Sequence, residues 1–196
     1  DNLIVGNDIY ANVYGVWVDG VGNKIGGNHI EGNTAPVGSG VYLSAYAADN
    51  GVHFNSLASA AGMDQVLQIY NDNALQTANC VNNWWGHASG PYHASANAGG
   101  TGTAVGEGIR FTPWLTAEPL TAKTANTASG SHLLDARREA SASVAKSGTG
   151  TPAVWVARYA GNPGGEFTQP QIGYWIDVYL SDTVDVQQVE IRMYYT

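Results

Sequence analysis

Apolar and polar positions alternate along this chain in short runs, the period-two signature of β-strands, and Gly-Asn pairs interrupt the runs again and again. Gly and Asn are the residues best suited to backbone with φ > 0, so each pair marks a turn between tiny strands. The blocks repeat. Ile4, Asn7, Ile9 and Asn12 recur as Ile25, Asn28, Ile30 and Asn33 at an offset of 21. Gly15-Val16-Trp17-Val18 recurs as Gly40-Val41-Tyr42-Leu43 at an offset of 25, and Val52, Asn55 and Leu57 follow Ile25, Asn28 and Ile30 at an offset of 27. A repeat of this length with several short strands and no helical periodicity predicts one coil of a stacked parallel β-solenoid. Stacking puts Ile4, Ile25 and Val52 in one interior row, and Asn7, Asn28 and Asn55 at one bend as an amide ladder.

The repeat stops at Asn82-Asn83-Trp84-Trp85-Gly86. Two adjacent Trp suit a plug better than a rung, and Phe111-Thr112-Pro113-Trp114-Leu115 adds a second bulky patch. Trp84 and Trp114 are therefore expected to be largely buried at the junction between the stack and the later β domain. Residues 86–108 show no periodicity and are expected to be an irregular excursion. The repeats together with Asn82 to Gly86, Gly90-Pro91 and Phe111 to Leu115 resemble the last coils of right-handed parallel β-helix repeat proteins of the pectate-lyase-like fold.

After a Thr/Ala-rich stretch, alternation returns without Gly-Asn corners. Expected strands are His132–Ala136, Ala140–Lys146, Ala153–Tyr159, Tyr174–Leu180 and Gln187–Tyr195, with Val154, Val156, Ile176, Val178, Val189, Ile191 and Met193 on one buried face. This predicts an all-β protein. Residues 1–116 form a short right-handed parallel β-helix with a C-terminal cap, 117–130 a linker, and 131–196 a small antiparallel β-sandwich braced on the cap. The segments Tyr159 to Gly165, Tyr174 to Val178 and Glu190 to Thr196 resemble a β domain found at the C-termini of exported surface proteins. That resemblance implies a secreted or cell-surface location.

Composition narrows the function classes. Only 12% of residues are charged, the net charge is −8, and the single Arg/Lys pair is Arg137-Arg138, so nucleic-acid binding is not expected. No apolar run is long enough for a membrane helix, and membrane insertion is not expected. Cys80 is the only cysteine, which excludes an internal disulfide and a cysteine-based zinc cluster; alternating with Ala78, it fits a small buried apolar residue.

Candidate chemistry is sparse. His29 and Glu31 lie two apart on one expected strand, and with a stacked His53 they form the best acid/base candidate. Solvated outward positions flanking Ile30 are the plainer alternative. A lyase of the pectate type uses an Arg base, and residues 1–109 contain no Arg, so no hydrolase or lyase centre is expected. Asp177, Asp182 and Asp185 crowd one expected turn, either as ordinary turn acids or as oxygen ligands for Ca²⁺; no other cofactor is expected. Trp17, Tyr42 and Tyr46 suit a sugar-stacking strip or a protein contact. Two functions stay open. One is an extracellular structural or adhesive protein that self-assembles head-to-tail, Asn2, Leu3, Ile4 and Ile9 meeting Tyr194 and Tyr195 of the next subunit. The other is a carbohydrate-binding or polysaccharide-active protein.

Overall fold

The structure, a computed structural model, describes residues 2–58, 66–119, 121–126, 130–136, 140–147, 153–159, 175–180 and 186–193. All regular structure among them is β. Three parallel sheets occupy the first part. Sheet 1 has the order β1 (Leu3–Val5), β4 (Lys24–Gly26), β7 (Gly51–His53), β10 (Ala78–Asn79), β13 (Ile109–Arg110). Sheet 2 comprises β2 (Asp8–Tyr10), β5 (His29–Glu31) and β8 (Ser56–Leu57). Sheet 3 runs β3 (Val16–Val18), β6 (Val37–Leu43), β9 (Leu67–Asn71), β12 (Gly102–Val105), β11 (Pro91–Tyr92). The chain visits the sheets in turn as far as β10, and its fourth pass by sheet 2 is the parallel bridge between Ser56 and Trp84.

Register explains the spacing of the sequence repeats. Ile4 pairs with Ile25 and Ile25 with Val52; Ile9 pairs with Ile30 and Ile30 with Leu57; Val16 pairs with Val41 and Val41 with Ile69. These rows meet in one core in which Ile25, Ile30, Val41, Val52, Leu57 and Ile69 are all fully buried. No single pass of the chain could bury its own row, so each depends on the next.

Asparagine ladders hold the bends. Asn28 Oδ1 accepts from the backbone N–H and the amide of Asn7, at 3.0 Å each. Asn55 does the same for Asn28, and Asn83 for Asn55. The expected stack of Asn7, Asn28 and Asn55 is thus present, with Asn83 as a fourth member. A second ladder, Asn2–Asn23–Asn50, follows the same rule, and in a shorter one the Asn12 backbone N–H donates to Asn33 Oδ1 while the Asn12 amide turns to the Tyr10 carbonyl. Each amide satisfies polar groups that a buried bend would otherwise strand. The bend formed by Gly15 and Gly40 needs glycine for another reason: a Cβ on Gly15 would sit 2.6 Å from the Gly40 carbonyl oxygen.

The end of the stack differs from expectation in its strand content. Because Asn83 occupies the ladder, Trp84 takes the outward position beside Ser56 and is half-buried, while Trp85 points inward and is fully buried. Trp114 is also only half-buried. Its ring lies across Gly90, where any Cβ would collide with it, and its Nε1–H donates to the Ala88 carbonyl at 3.1 Å. Residues 86–108, expected to be irregular, include β11 and β12, and β12 adds to sheet 3 beside β9. The Gly-rich composition hid these short strands.

Two three-stranded antiparallel sheets follow, β14 (Thr121–Asn126)–β17 (Ala153–Tyr159)–β18 (Trp175–Leu180) and β15 (Gly130–Ala136)–β16 (Ala140–Lys146)–β19 (Val186–Met193). Five of the six strands match the expected segments. β14 corrects the linker at 117–130, because its Thr, Ala, Lys and Asn residues carry no apolar alternation. It runs beside β1 and β4. Of the expected buried face, Val156 is fully buried, Val178 and Val189 are partly buried, and Ile191 is 52% exposed.

Candidate functional site

The outer face of sheet 3 carries the most developed surface feature. Trp17, Tyr42 and Tyr70 occupy equivalent positions on β3, β6 and β9, where parallel register places one above the next. Trp17 and Tyr42 stack with centroids 4.2 Å apart and planes at 16°; Tyr42 and Tyr70 lie 5.6 Å apart at 33°. Tyr14 stands edge-on to both, 5.0 Å from Trp17 and 5.5 Å from Tyr42. A ring that close to both members of a stack must lie at its side, so neither Tyr14 nor Tyr42 covers the second face of Trp17. Trp17 is 54% exposed. The column stops at Gly106, whose missing side chain leaves room beside Tyr70.

Polar groups border the rings. Tyr42 Oη donates to Asp72 Oδ2 at 3.2 Å, and burial together with the Asp72 charge raises the Tyr42 pKa above that of a free phenol. Ser44 Oγ donates to Asp19 Oδ1 in a short hydrogen bond. Tyr46, expected in the same strip, lies in the turn after β6 and is 77% exposed. Tyr70 was missed because the offsets identified in the sequence ended before β9.

The expected acid/base cluster forms with different members. His29 faces Asp8 on one side and Ser56 on the other along sheet 2. Its Nδ1 lies 3.7 Å from Asp8 Oδ1 and its Nε2 lies 3.4 Å from Glu31 Oε2. Ser56 Oγ donates to Glu118 Oε1. His53 does not belong to this group: it lies on sheet 1, 1% exposed, with Nδ1–H donating to the Val81 carbonyl at 2.9 Å. Burial is the largest influence on its pKa, holding it down to about 4. His53 is therefore a neutral core residue. The Asp8–His29–Glu31 group is exposed, and ion pairs in water stabilise little.

The remaining candidates are quickly placed. Asn2 donates to Asn23, Leu3 is 45% exposed, and Ile4 and Ile9 pack partly buried against the core. Asp177 sits on β18 opposite Ala157, while Asp182, Asp185, Tyr194 and Tyr195 lie outside the described residues. Cys80 is fully buried, and desolvation pushes its thiol pKa far up, as expected of a packing residue. Among the described residues, no group of three or more His, Cys, Asp or Glu side chains could hold a metal ion, and no helix is long and apolar enough to cross a membrane.

No protein-family model matches the chain, and comparison with curated proteins and with solved structures found no match either.

Proposed function

We propose that residues 2–119 are stacked turns of a right-handed parallel β-helix, that the two antiparallel sheets pack as a sandwich, and that the protein is an adhesive extracellular module binding carbohydrate through the outer face of sheet 3. The observation that carries this reading is the exposed Trp17 ring at the head of the Trp17–Tyr42–Tyr70 column. A flat aromatic face held rigid by a neighbouring ring matches the apolar face of a pyranose. Tyr42 Oη, Asp72 and Asp19 provide hydroxyl partners beside it. Carboxylates bordering the rings, in a chain of net charge −8, favour neutral glycans over acidic ones. Catalysis is not part of the proposal, since the exposed Asp8–His29–Glu31 group lies on a different sheet from the aromatic column.

A glycan array followed by calorimetry tests the proposal. Neutral glycan binding that weakens at least about tenfold in Trp17→Ala supports it, and binding unchanged in that variant refutes it. A reducing-sugar release assay is expected to stay blank.

Head-to-tail self-assembly is a second reading. β1, β2 and β3 each sit at the edge of their sheet, and Leu3, Tyr10, Val13 and Val21 are exposed there. Unpaired strand edges bearing apolar side chains invite another chain. A mass that rises with concentration in sedimentation, and stops rising in Leu3→Glu, would support it.

A further inference from the structure

Sheet 1 carries a notch whose origin is visible in the register. One outward column runs Leu3, Lys24, Gly51, Asn79, Arg110 from β1 to β13. Gly51 contributes no side chain, so the column is interrupted at its middle rung, and the His53 ring borders the gap, its Nε2 3.1 Å from where a Cβ would stand. The gap opens into a cavity of ≈ 560 Å³ that extends beneath the turns following β6 and β9, lined by Lys24, Asp49, His53, Gln76, Thr77 and Asn79 among others.

Lys24 borders this gap directly, and Arg110 approaches it through Asn79. The Lys24 stem leans over Gly51, its Cδ lying 3.6 Å from where a Cβ would stand. From the other side Arg110 reaches back one rung, its Nη2 donating to Asn79 Oδ1 at 2.9 Å. Neither cation forms an ion pair with a carboxylate among the described residues. Half-burial holds the Lys24 pKa below its usual value, and the charge of Asp49, exposed at the rim, works against that. At His53, on the floor, burial is the main influence disfavouring protonation, and the charges of Lys24 and Arg110 act in the same direction. The amides of Gln76 and Asn79 and the hydroxyl of Thr77 supply polar walls suited to hydroxyl groups.

We propose that the Gly51 notch is a binding site for a sugar-sized organic carboxylate, its acid group held between Lys24 and the Asn79–Arg110 pair and its hydroxyls against Gln76 and Thr77. The volume falls in the range of small-molecule sites, and a guanidinium matches a carboxylate in shape as well as charge. The site is on a different sheet from the aromatic column and does not depend on it.

Calorimetric titration of the full chain with D-glucuronate, D-glucose and inorganic sulfate tests the assignment. In the Trp17→Ala background, which removes the aromatic column, glucuronate is expected to bind, with affinity falling at least about tenfold on adding Lys24→Met or Arg110→Gln, while glucose gives no heat and sulfate binds more weakly than glucuronate. Trp17→Ala is expected to leave glucuronate binding intact, and Lys24→Met to leave neutral glycan binding intact, so the two sites fail separately. Lys24→Met keeps the apolar stem over Gly51, and thermal unfolding identifies any variant that has lost its fold. Equal affinity for glucose and glucuronate, sulfate binding as tightly as glucuronate, no glucuronate binding, or no loss in folded Lys24→Met would each overturn the proposal.

Discussion

The parallel sheets and the antiparallel sheets solve the same problem by different means. In the parallel part, strands of two to seven residues are too short to define their own register, so side chains at the bends define it. Asn7, Asn28, Asn55 and Asn83 clamp successive passes through paired amide bonds, and the Asn2–Asn23–Asn50 ladder repeats the device. In the antiparallel part, strands of six to eight residues pair over most of their length, as β15 does with β16 from Gly130↔Lys146 to Ala136↔Ala140. Strand length substitutes for the ladder there. Register can thus be stored in side-chain amides or in backbone length, and this chain uses both.

Four measurements break or sharpen that contrast. Trp85→Ala, which empties the plug at the end of the parallel core, is expected to cost about 3–5 kcal/mol in urea unfolding. Trp85→Phe should cost far less, because the buried indole Nε1–H has no acceptor and its removal leaves nothing unpaired. Asn55→Ala is expected to cost about 2–4 kcal/mol, since it strands the Ile25 carbonyl and the Asn28 amide in the core. Asn12→Ala, on the exposed first member of its ladder, should cost under about 1 kcal/mol; equal costs at the two positions would mean that the ladder does not hold the register. Val156→Ala, in the buried centre of β17, is expected to cost about 2 kcal/mol. Hydrogen exchange should show that loss in the antiparallel amides while the ladder amides keep their protection, and a uniform loss would merge the two regions into one cooperative unit.

A pH dependence is expected in the parallel part. His53 is held neutral when folded and titrates near 6.5 when unfolded. Below about pH 6.5 the unfolded chain takes up a proton that the folded one refuses, so stability falls as pH falls toward about 4. The slope from this group is at most about 1.4 kcal/mol per pH unit. His53→Gln should remove it, and a slope that persists unchanged in that variant would assign it to other groups.

Much of the parallel part was legible because its repeats carry physical meaning. An offset of 27 aligns Ile25 with Val52 and Asn28 with Asn55, and both pairings are present. The same offset aligns His29 with Ser56, not His53, and the register places His53 on a different sheet from His29 and Glu31. Asn83 continues the ladder and thereby turns Trp85 inward, a parity that adjacent tryptophans conceal when both are taken as one plug. β14 was not legible at all. Thr121-Ala122-Lys123-Thr124-Ala125-Asn126 has no apolar alternation, and its strand character comes from pairing with β17, which only tertiary structure supplies. The binding candidates divide the same way. Trp17 and Tyr42 follow from one offset, whereas the Gly51 notch depends on an absent side chain between two distant cations.

The asparagine ladders also govern how the gene for such a chain can change length. Within one pass, ladder positions are five residues apart, as in Asn2-Asn7-Asn12 and Asn23-Asn28-Asn33, whereas matching positions in successive passes are 21, 27 or 28 residues apart. Codons inserted in the turn between Ser44 and Asn50 leave the five-residue frame untouched and only enlarge a loop. A single codon inserted between Asn23 and Asn28 would break the five-residue frame of that pass, so that Asn23 and Asn28 could not both meet their partners, and would exchange inward for outward side chains along β4. The ladders thereby divide the coding sequence into short stretches closed to insertion, separated by turns that remain open to it.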